Sequence, residues 1–458
     1  MKKINTMAGM LLAAATAMFS ASCENDNINP YDYAGNNGNA NQGSTNVIKT
    51  AVAEYPVGSL VWSNDTTLSE SVEIPVGTSL YIEPGVTVTC KADVQVPVEV
   101  VVLGNLYCLG TAEKPVTFTS DRKKPEAWGG IICGYNSEEV VLNHVDIAYA
   151  GATPTESSAS FQNKLFKTTI DGGVPAFHFC NVNGKFVIAS SFFHDNYNDQ
   201  TYFTGGNGVI AGNIFADSGN AADGGEAINV KAGCKLDIAN NIIYNACTNA
   251  FKLSNAGNSE QIPLTQLNAY NNTMVNCGWR RAKNKKGGSV WIEKAIAPTF
   301  VNNLVYDCRY GLRQPNKDGA DLKNSRVAPN YYYASTDTGV KQMAKDANKY
   351  DIWNTNDIKS AVAREFNPLF NNFKQSENMN INCEMDGVEN GAPLPYDKAW
   401  DFNFQPSSPA CSGGVTDVTR IFPKGIVFLG LKNLMKSKYE ESYRFTAPVV
   451  DARFGAKL

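Results

Sequence analysis

Short apolar phrases recur in the middle of the chain, each headed by Asn or Ser and each carrying Asp or Asn at its fifth position. They are SFFHDN from Ser191, NIFADS from Asn213, NIIYNA from Asn241, NTMVNC from Asn272 and NLVYDC from Asn303. Their heads stand 22, 28, 31 and 31 residues apart. A period of this length is typical of solenoid proteins, in which each unit buries its apolar face against its neighbours.

A second kind of phrase precedes four of these heads and alternates apolar with other residues. Its members are AFHF from Ala176, AINV from Ala227, AFKL from Ala250 and SVWI from Ser289. Such alternation predicts a short strand with one buried face. The intervals leave no room for a helix of useful length. We therefore predict an all-β solenoid, a parallel β-helix in which successive coils pair about 4.8 Å apart.

The polar residues of the first phrases have a structural interpretation. The Asn and Ser heads are expected to stack on their counterparts in adjacent coils, bonding along the column and tolerating the left-handed backbone of a tight turn. The same turn-capping device is predicted at the other end of the strand, where a column of carboxylates and amides could alternatively bind Ca²⁺. That column consists of Asp195, Asp217, Asn245, Asn276 and Asp307.

Several segments resemble a known group of proteins. VEIPVGTSLYIEPGVTVTC, LGNLYCLGTAEKPVTFTS and WGGI, within residues 72–131, are similar to the opening coils of right-handed parallel β-helix proteins of bacterial surfaces, in the pectate-lyase-like superfamily. NPLF and WDFNFQPSSPACSGG, within residues 367–414, are similar to their closing segment. The resemblance covers residues 70–415 and implies a right-handed β-helix. It implies no single activity, because this fold carries lyases, hydrolases, adhesins and other surface proteins.

Both ends of the stack need covers, since open sheet edges promote aggregation. Residues 49–70 could cover the first coil. Residues 355–366, TNDIKSAVAREF, are predicted to form a helix that stops before Asn367 and Pro368. With LGLKNLMKSKYEES near the end, this helix indicates a mixed C-terminal capping region.

The first residues have the character of a secretory signal. Lys2 and Lys3 precede an apolar run of roughly a dozen residues, which is too short to span a bilayer comfortably. The residues from Ser20 to Cys23 resemble a bacterial lipobox with Ser20 in place of the usual Leu. The resemblance implies that Cys23 becomes the lipidated first residue, so that acyl chains anchor the protein to a membrane.

The segment after Cys23 is rich in Asn and Gly and too poor in aliphatic residues to fold. Glu24 and Asp26 within it resemble the surface-export signals of Bacteroidota lipoproteins. We expect an outer-membrane lipoprotein on the cell surface, with the periplasmic face as the alternative. The predicted organisation is a signal peptide (1–22), a lipidated Cys with a disordered tether (23–48), a parallel β-helix (49–330) and a C-terminal closing and capping region (331–458).

Charge and cysteine usage narrow the function further. The chain has 40 basic and 44 acidic residues, and removal of Lys2 and Lys3 with the signal leaves 38 against 44, or −6. This balance implies no nucleic-acid partner. The 11 Cys are scattered singly, without the CxxC pairs of a zinc site. We interpret them as buried thiols, and a disulfide framework is the alternative.

The candidate ligand surface is the outward row of the second phrases. If Phe177, Ile228, Phe251 and Val290 point inwards, strand alternation turns the residue after each of them outwards. Five coils give a row about 19 Å long, in which Trp could stack on sugars and the cations could pair with uronate or sulfate groups. The alternative is that these side chains are polar only because they face water. The row consists of His178, Asn229, Lys252, Trp291 and Arg313.

An insertion at 278–288, GWRRAKNKKGG, adds Arg280 and Arg281 beside this row. It could clamp an anionic polymer, since insertions on one side of a solenoid often bind ligands, or it could be a solvated loop.

The sequence assigns no catalytic residue and requires no cofactor. A Ca²⁺ site is a further candidate, which could form if acids meet across coils, namely Asp195, Asp199, Asp217, Asp223 and Glu226. We therefore expect a surface protein that binds glycan or mediates surface interactions. One alternative is a polysaccharide lyase or glycoside hydrolase acting on an acidic polysaccharide, and the other is a protein adhesin or structural surface component.

Overall fold

The chain folds as a stack of coils built from three parallel β-ladders, here called A, B and C in the order in which the chain enters them. The computed structural model describes residues 55–166, 170, 172–219, 224–284, 287–343, 352, 354–373, 395–432 and 444–458. Nine strands form ladder A, eleven form ladder B and nine form ladder C. The predicted parallel β-helix is confirmed.

The strands are short, and each ladder takes every third strand through most of the stack. Ladder A contains β1 (Leu60–Trp62), β4 (Ser79–Ile82), β7 (Asn105–Leu109), β10 (Glu139–Asn143), β13 (Lys185–Ala189), β16 (Gly206–Ala211), β19 (Cys234–Ala239), β22 (Gln266–Tyr270) and β25 (Thr299–Val301). Ladder B contains β2 (Thr66–Leu68), β5 (Thr87–Cys90), β8 (Val116–Ser120), β11 (Val145–Ala148), β14 (Phe192–His194), β17 (Ile214–Ala216), β20 (Ile242–Tyr244), β23 (Thr273–Val275), β26 (Leu304–Tyr306), β28 (Tyr331–Tyr333) and β29 (Ile358–Lys359). Ladder C contains β3 (Val72–Ile74), β6 (Val100–Val102), β9 (Ile131–Cys133), β12 (Phe177–Phe179), β15 (Thr201–Phe203), β18 (Ile228–Val230), β21 (Phe251–Ser254), β24 (Val290–Glu293) and β27 (Leu312–Arg313).

Two antiparallel pairs, two short α-helices and three 3₁₀ helices (Trp279–Asn284, Pro409–Cys411 and Leu429–Leu431) complete the described elements. The pairs are β30 (Phe370–Asn372) with β31 (Asp401–Phe404) and β32 (Ile426–Val427) with β33 (Arg444–Phe445), and the α-helices are α1 (Ala159–Gln162) and α2 (Asp337–Met343). Within the described ranges, no helix has both the length and the apolar character needed to cross a membrane.

One continuous apolar core fills the inside of the stack. The predicted inward residues Phe177, Ile228, Phe251 and Val290 are 0–1% exposed. Burial of each such side chain contributes about 1.5–3 kcal/mol, and adjacent coils supply the surfaces that bury it. Because strand side chains alternate, the intervening residues face outwards from the ladders.

The predicted Asn column is confirmed at the turn from ladder A to ladder B. Asn213, Asn241, Asn272 and Asn303 each donate a side-chain hydrogen bond to the amide oxygen of the next Asn, at 2.9 to 3.1 Å, and the column ends at Asn330. The left-handed backbone falls on the residue before each head, for example Asn271 (φ 51°) before Asn272. The expectation that the heads themselves take that conformation is therefore wrong.

The column at the fifth position lies at the C-terminal ends of the ladder B strands, and its geometry is that of turn capping. All five backbones are left-handed, with φ between 47° and 58°, a conformation that Asp and Asn tolerate better than most residues. Members also bond across coils, as Asn245 Nδ2 donates to Asp217 Oδ1 at 2.6 Å. The column members are Asp195, Asp217, Asn245, Asn276 and Asp307.

The C-terminal part lies along the sides of the stack. A segment that we call the strap, residues 415–431 and 444–456, covers ladder A, where Asn302 Nδ2 donates to the Val415 carbonyl at 2.7 Å and Tyr81 donates to the Gly430 carbonyl at 3.0 Å. The aromatic pair β30–β31 packs against the outward side chains of ladder B. These lateral contacts are an addition to the predicted capping role.

The helix predicted over 355–366 does not form. Ile358 and Lys359 are β29 instead, paired with Tyr331 and Tyr332 of ladder B. Pairing with an exposed ladder end overrides the local helical preference of this segment. Most of LGLKNLMKSKYEES lies outside the described residues. The predicted β-helix boundary at residue 330 stays a prediction, although ladder B itself continues to Lys359.

The cysteines whose positions are described are free thiols. Eight of them are buried and Cys411 is exposed. This outcome favours buried thiols over a disulfide framework for these positions. Cys23 and Cys383 lie outside the described residues.

Candidate functional site

The predicted outward row lies on ladder C and has one additional member. Tyr202 belongs to the row, since DQTYF, at 199–203, supplies a ladder C strand between those of His178 and Asn229. This strand was not predicted because it lacks the Ala or Ser start of the other phrases. Six coils at about 4.8 Å make the row about 24 Å long. Its paired positions run His178, Tyr202, Asn229, Lys252, Trp291 and Arg313.

The end of the row at His178 is covered. The segment after ladder B packs here, and the ring of Phe166 lies 5.0 Å from those of both His178 and Tyr202. His178 is 1% exposed. Burial lowers the pKa of His178 to about 3, so the imidazole is neutral near pH 7. The expectation of an open, water-facing surface is therefore wrong at His178, because aromatic packing closes it. It is also wrong at Asn229, which is 4% exposed and donates a hydrogen bond to the buried Asp199.

The other end of the row combines cations with an indole. Trp291 is half-buried, and its Nε1 donates to Glu293 Oε2 at 2.9 Å. Lys252 Nζ lies 3.8 Å from Glu293 Oε1. The guanidinium of Arg313 lies 3.7 Å from the ring centre of Tyr310, in a cation–π contact. Packing thus holds the indole and both cations in defined positions along three adjacent coils.

Two buried carboxyl groups, Asp199 and Glu226, lie beside this row, just before the ladder C strands β15 and β18. Asp199 Oδ1 accepts hydrogen bonds from the backbone N–H groups of Gly225 and Glu226, at 2.9 and 2.8 Å, and Oδ2 accepts one from Asn229 at 2.8 Å. Burial raises the pKa of Asp199 well above its usual range, and the charge of Glu226 raises it further. This direction favours the protonated form of Asp199, whose side chain hydrogen bonds to Glu226.

Glu226 behaves in the opposite way because cations surround it. Burial alone would raise its pKa, but the charge of Lys252, the hydrogen bond from Asp199 and the charge of Arg281 together hold it below the usual range. Asn249 also donates to Glu226 Oε1 at 3.3 Å. The pKa values of the two adjacent acids are thus shifted in opposite directions, an arrangement found at functional sites as well as in structural networks.

The arginines of the insertion point into the protein. Arg280 donates to the carbonyls of Gly219 and Asn245, at 2.9 and 2.8 Å, and so joins neighbouring coils. Arg281 is 3% exposed and donates to Thr248 Oγ1 at 3.1 Å. Arg281 therefore belongs to the buried cluster around Glu226, while Arg280 acts as a structural clamp.

The predicted metal ligands whose positions are described do not all meet at one place. Asp195 bonds His194 and Asp217 bonds Asn245 at the end of ladder B, whereas Glu226 lies with Asp199 at the start of ladder C. Asp223 lies outside the described residues. Among the residues whose positions are given, no group of three or more His, Cys, Asp or Glu side chains could hold a metal ion. Calcium binding stays a prediction.

Sequence reasoning left Tyr202 and Glu293 out of the predicted set and did not single out Asp199 and Glu226 as a pair. Asp199 and Glu226 both stand two residues before an inward strand residue, Thr201 and Ile228, so a shared repeat position was the signal that could have paired them. Tyr202 lacked the flanking pattern, and Glu293 is visible only once Trp291 and Lys252 are placed beside it.

Comparison with known proteins gives one informative match. A family model described as a pectate-lyase like beta helix domain matches residues 57–163. No curated protein and no solved structure matched the chain. The matched segment spans the opening coils, and the same three ladders continue beyond it, ladder A to Val301, ladder C to Arg313 and ladder B to Lys359. Residues 57–163 are therefore similar to a pectate-lyase-like β-helix domain, and the chain folds as a right-handed parallel β-helix.

Proposed function

We propose that the outer face of ladder C binds a glycan that carries anionic groups. The observation that supports this proposal most is the polarity of the outward rows. Ladder A turns tyrosines and valines outwards under the strap, and ladder B turns aromatic side chains outwards under β30–β31. The second half of ladder C presents Asn229, Lys252, Trp291 and Arg313 instead.

The chemistry of these side chains suits a charged sugar chain. Lys252, Trp291 and Arg313 lie on successive coils, so a flat apolar face stands between two cations that are about 10 Å apart. Indoles stack on sugar rings, and cations pair with carboxylate or sulfate. Lys252 and Arg313 are each 9% exposed, so an anion that reaches them interacts under weak solvent screening.

Binding is tested by electrophoresis of the purified chain through gels that contain uronate-bearing or neutral polysaccharides. We expect retardation only in the anionic gels, and we expect Lys252→Ala and Trp291→Ala to reduce it strongly. Lys114→Ala is the matched control, because Lys114 is an exposed lysine on another part of the stack. Equal retardation of all variants would reject ladder C as the binding face.

We further propose that the protein is a surface lipoprotein anchored through Cys23. The proposal rests on the signal-like start, the lipobox resemblance and the acidic residues that follow it. Incorporation of labelled fatty acid into the wild-type chain but not into Cys23→Ser, together with digestion by protease added to intact cells, would support it. A chain that protease reaches only after lysis would place it on the periplasmic side.

The second candidate is a lyase or hydrolase that acts on the same acidic glycan. The adjacent acids Asp199 and Glu226 favour it, because paired acids whose pKa values are shifted in opposite directions suit acid–base work. Incubation with acidic polysaccharides, with and without Ca²⁺, is followed by the absorbance of unsaturated products and by reducing ends. Product formation that Glu226→Gln abolishes would establish catalysis, and binding without product would leave the first proposal.

A further inference from the structure

A cleft separate from the candidate site opens at the turns from ladder C to ladder A. It encloses about 800 Å³, within the range of about 300–1,000 Å³ typical of small-ligand sites. Four successive coils line it, through residues 76–77, 104–105, 135–139 and 180–185, and Leu429 of the strap forms part of one wall. At about 4.8 Å per coil the cleft is about 14 Å long.

Hydrogen bonds inside the protein hold the inner part of this cleft. Asn105 Oδ1 accepts from the backbone N–H groups of Glu138 and Glu139, at 3.2 and 2.9 Å. Asn181 Nδ2 donates to the Ser137 carbonyl at 3.0 Å. Glu139 accepts from Tyr107 and from two N–H groups of the strap, at 2.7 to 3.0 Å. The cleft is therefore formed before any ligand arrives, which lowers the ordering cost of binding.

The rim offers both polar and apolar contacts to a ligand. The exposed side chains of Asn136, Asn183 and Glu138 can together donate and accept hydrogen bonds. Val76 and Leu429 are 58% and 65% exposed at the walls. Such a mixture matches a molecule that has hydroxyl groups on its edges and apolar C–H faces.

The charged side chains that line this cleft disfavour an anionic ligand. Lys185 Nζ lies 2.9 Å from Glu139 Oε1, so these two charges compensate each other. Glu138 remains as an exposed negative charge on the rim. The electrostatic character is thus the reverse of the cationic end of ladder C.

We propose that this cleft is a second binding site and that it takes a short neutral saccharide. Tyr135, which is half-buried and lines the cleft, supplies the aromatic surface, and the amides and the carboxylate of the rim bond the sugar hydroxyls. This inference does not depend on glycan binding at ladder C.

Titration calorimetry and saturation-transfer NMR of the whole chain with a panel of short neutral oligosaccharides test the proposal. We expect binding by at least one of them, weakened by about tenfold or more in Tyr135→Ala, as loss of a sugar-contacting ring implies. Asn183→Ala, at an exposed position, serves as a second variant that leaves the folded stack intact. Trp291→Ala is the matched control and is expected to bind the neutral ligand like wild type.

The outcomes separate the two sites. Neutral-ligand binding that both cleft variants weaken and Trp291→Ala retains would support the proposal, whatever the anionic glycans do. Absence of binding across the panel, binding lost only in Trp291→Ala, or preference of the cleft for uronate ligands would overturn it.

Discussion

At the scale of single residues, buried amides do more to define the coil than any one apolar side chain. Asn272 shows this: its Nδ2 donates to Asn303 and to the Ile238 carbonyl, at 2.9 and 3.1 Å, and its Oδ1 accepts from the side chain and the backbone of Asn241, at 2.9 and 3.0 Å. Such a residue specifies the register of three coils at once, because an unpaired buried amide is costly.

Replacement of Asn272 by Ala is expected to lower the free energy of unfolding by about 2 kcal/mol or more, because buried groups of Asn241 and Asn303 lose their partner. Chemical denaturation followed by circular dichroism measures the change. Asn64→Ala, at an exposed position, is the control and should leave stability nearly unchanged. Equal effects of the two substitutions would show that the column is not a stabilising device.

His194 makes stability depend on pH. Burial alone would lower its pKa, but hydrogen bonds to Asp146 and Asp195, at 2.9 and 2.7 Å, raise it to about 9. The folded pKa exceeds the unfolded value of about 6.5, so the stabilisation is fully present below about pH 6.5 and is lost as pH rises through about 9.

The difference in unfolding free energy between wild type and His194→Gln is therefore expected to reach at most about 3 kcal/mol near pH 6 and to shrink towards pH 10. Denaturation of both chains across this range measures it. A difference that stays constant with pH would mean that the charge of His194 contributes nothing.

At the scale of elements, the strap is part of the fold because ladder A turns apolar side chains outwards. Tyr81, Tyr107 and Val141 lie under Phe428 and Leu431 in one cluster. Exposed apolar rows of this kind must be covered to prevent association between molecules. The strap is fixed at its far end by Glu139, which it reaches with the N–H groups of Leu429 and Gly430, both at 3.0 Å.

Glu139→Ala is expected to free this end of the strap, since it removes the acceptor of these two N–H groups and of Tyr107. Limited proteolysis with mass mapping should reveal faster cleavage within 426–431 than in wild type. Glu138→Ala, at the exposed neighbouring position, should leave the cleavage rate unchanged. An unaltered rate in Glu139→Ala would contradict the anchoring role.

The sequence repeat predicted well those features that depend on contacts within a coil or between adjacent coils. Ladder order, the Asn column and the outward parity of Lys252 and Trp291 all follow from spacing, because each coil contacts only the next. The strap could not be predicted in this way, since the contact between Glu139 and Gly430 spans 291 residues and carries no period. The contact between Asp199 and Glu226 was not predicted for a related reason, because the coil of Asp199 departs from the sequence pattern that flanks the other phrases.

At the scale of the whole molecule, the outer faces of the three ladders are covered by different segments and to different extents. The strap covers ladder A, β30–β31 covers ladder B, and residues around Phe166 cover the first half of ladder C. The second half of ladder C keeps polar and charged residues around a half-buried indole. This asymmetry is why we assign ligand binding to ladder C.

Hydroxyl-radical footprinting of the whole chain, with and without a saturating uronate-bearing oligosaccharide, tests that assignment most directly. The account predicts protection of Trp291, the half-buried indole between Lys252 and Arg313. The aromatic residues of ladder B under β30–β31 should react equally in both samples. Protection confined to other faces of the stack, or no change at Trp291 under saturation, would contradict it.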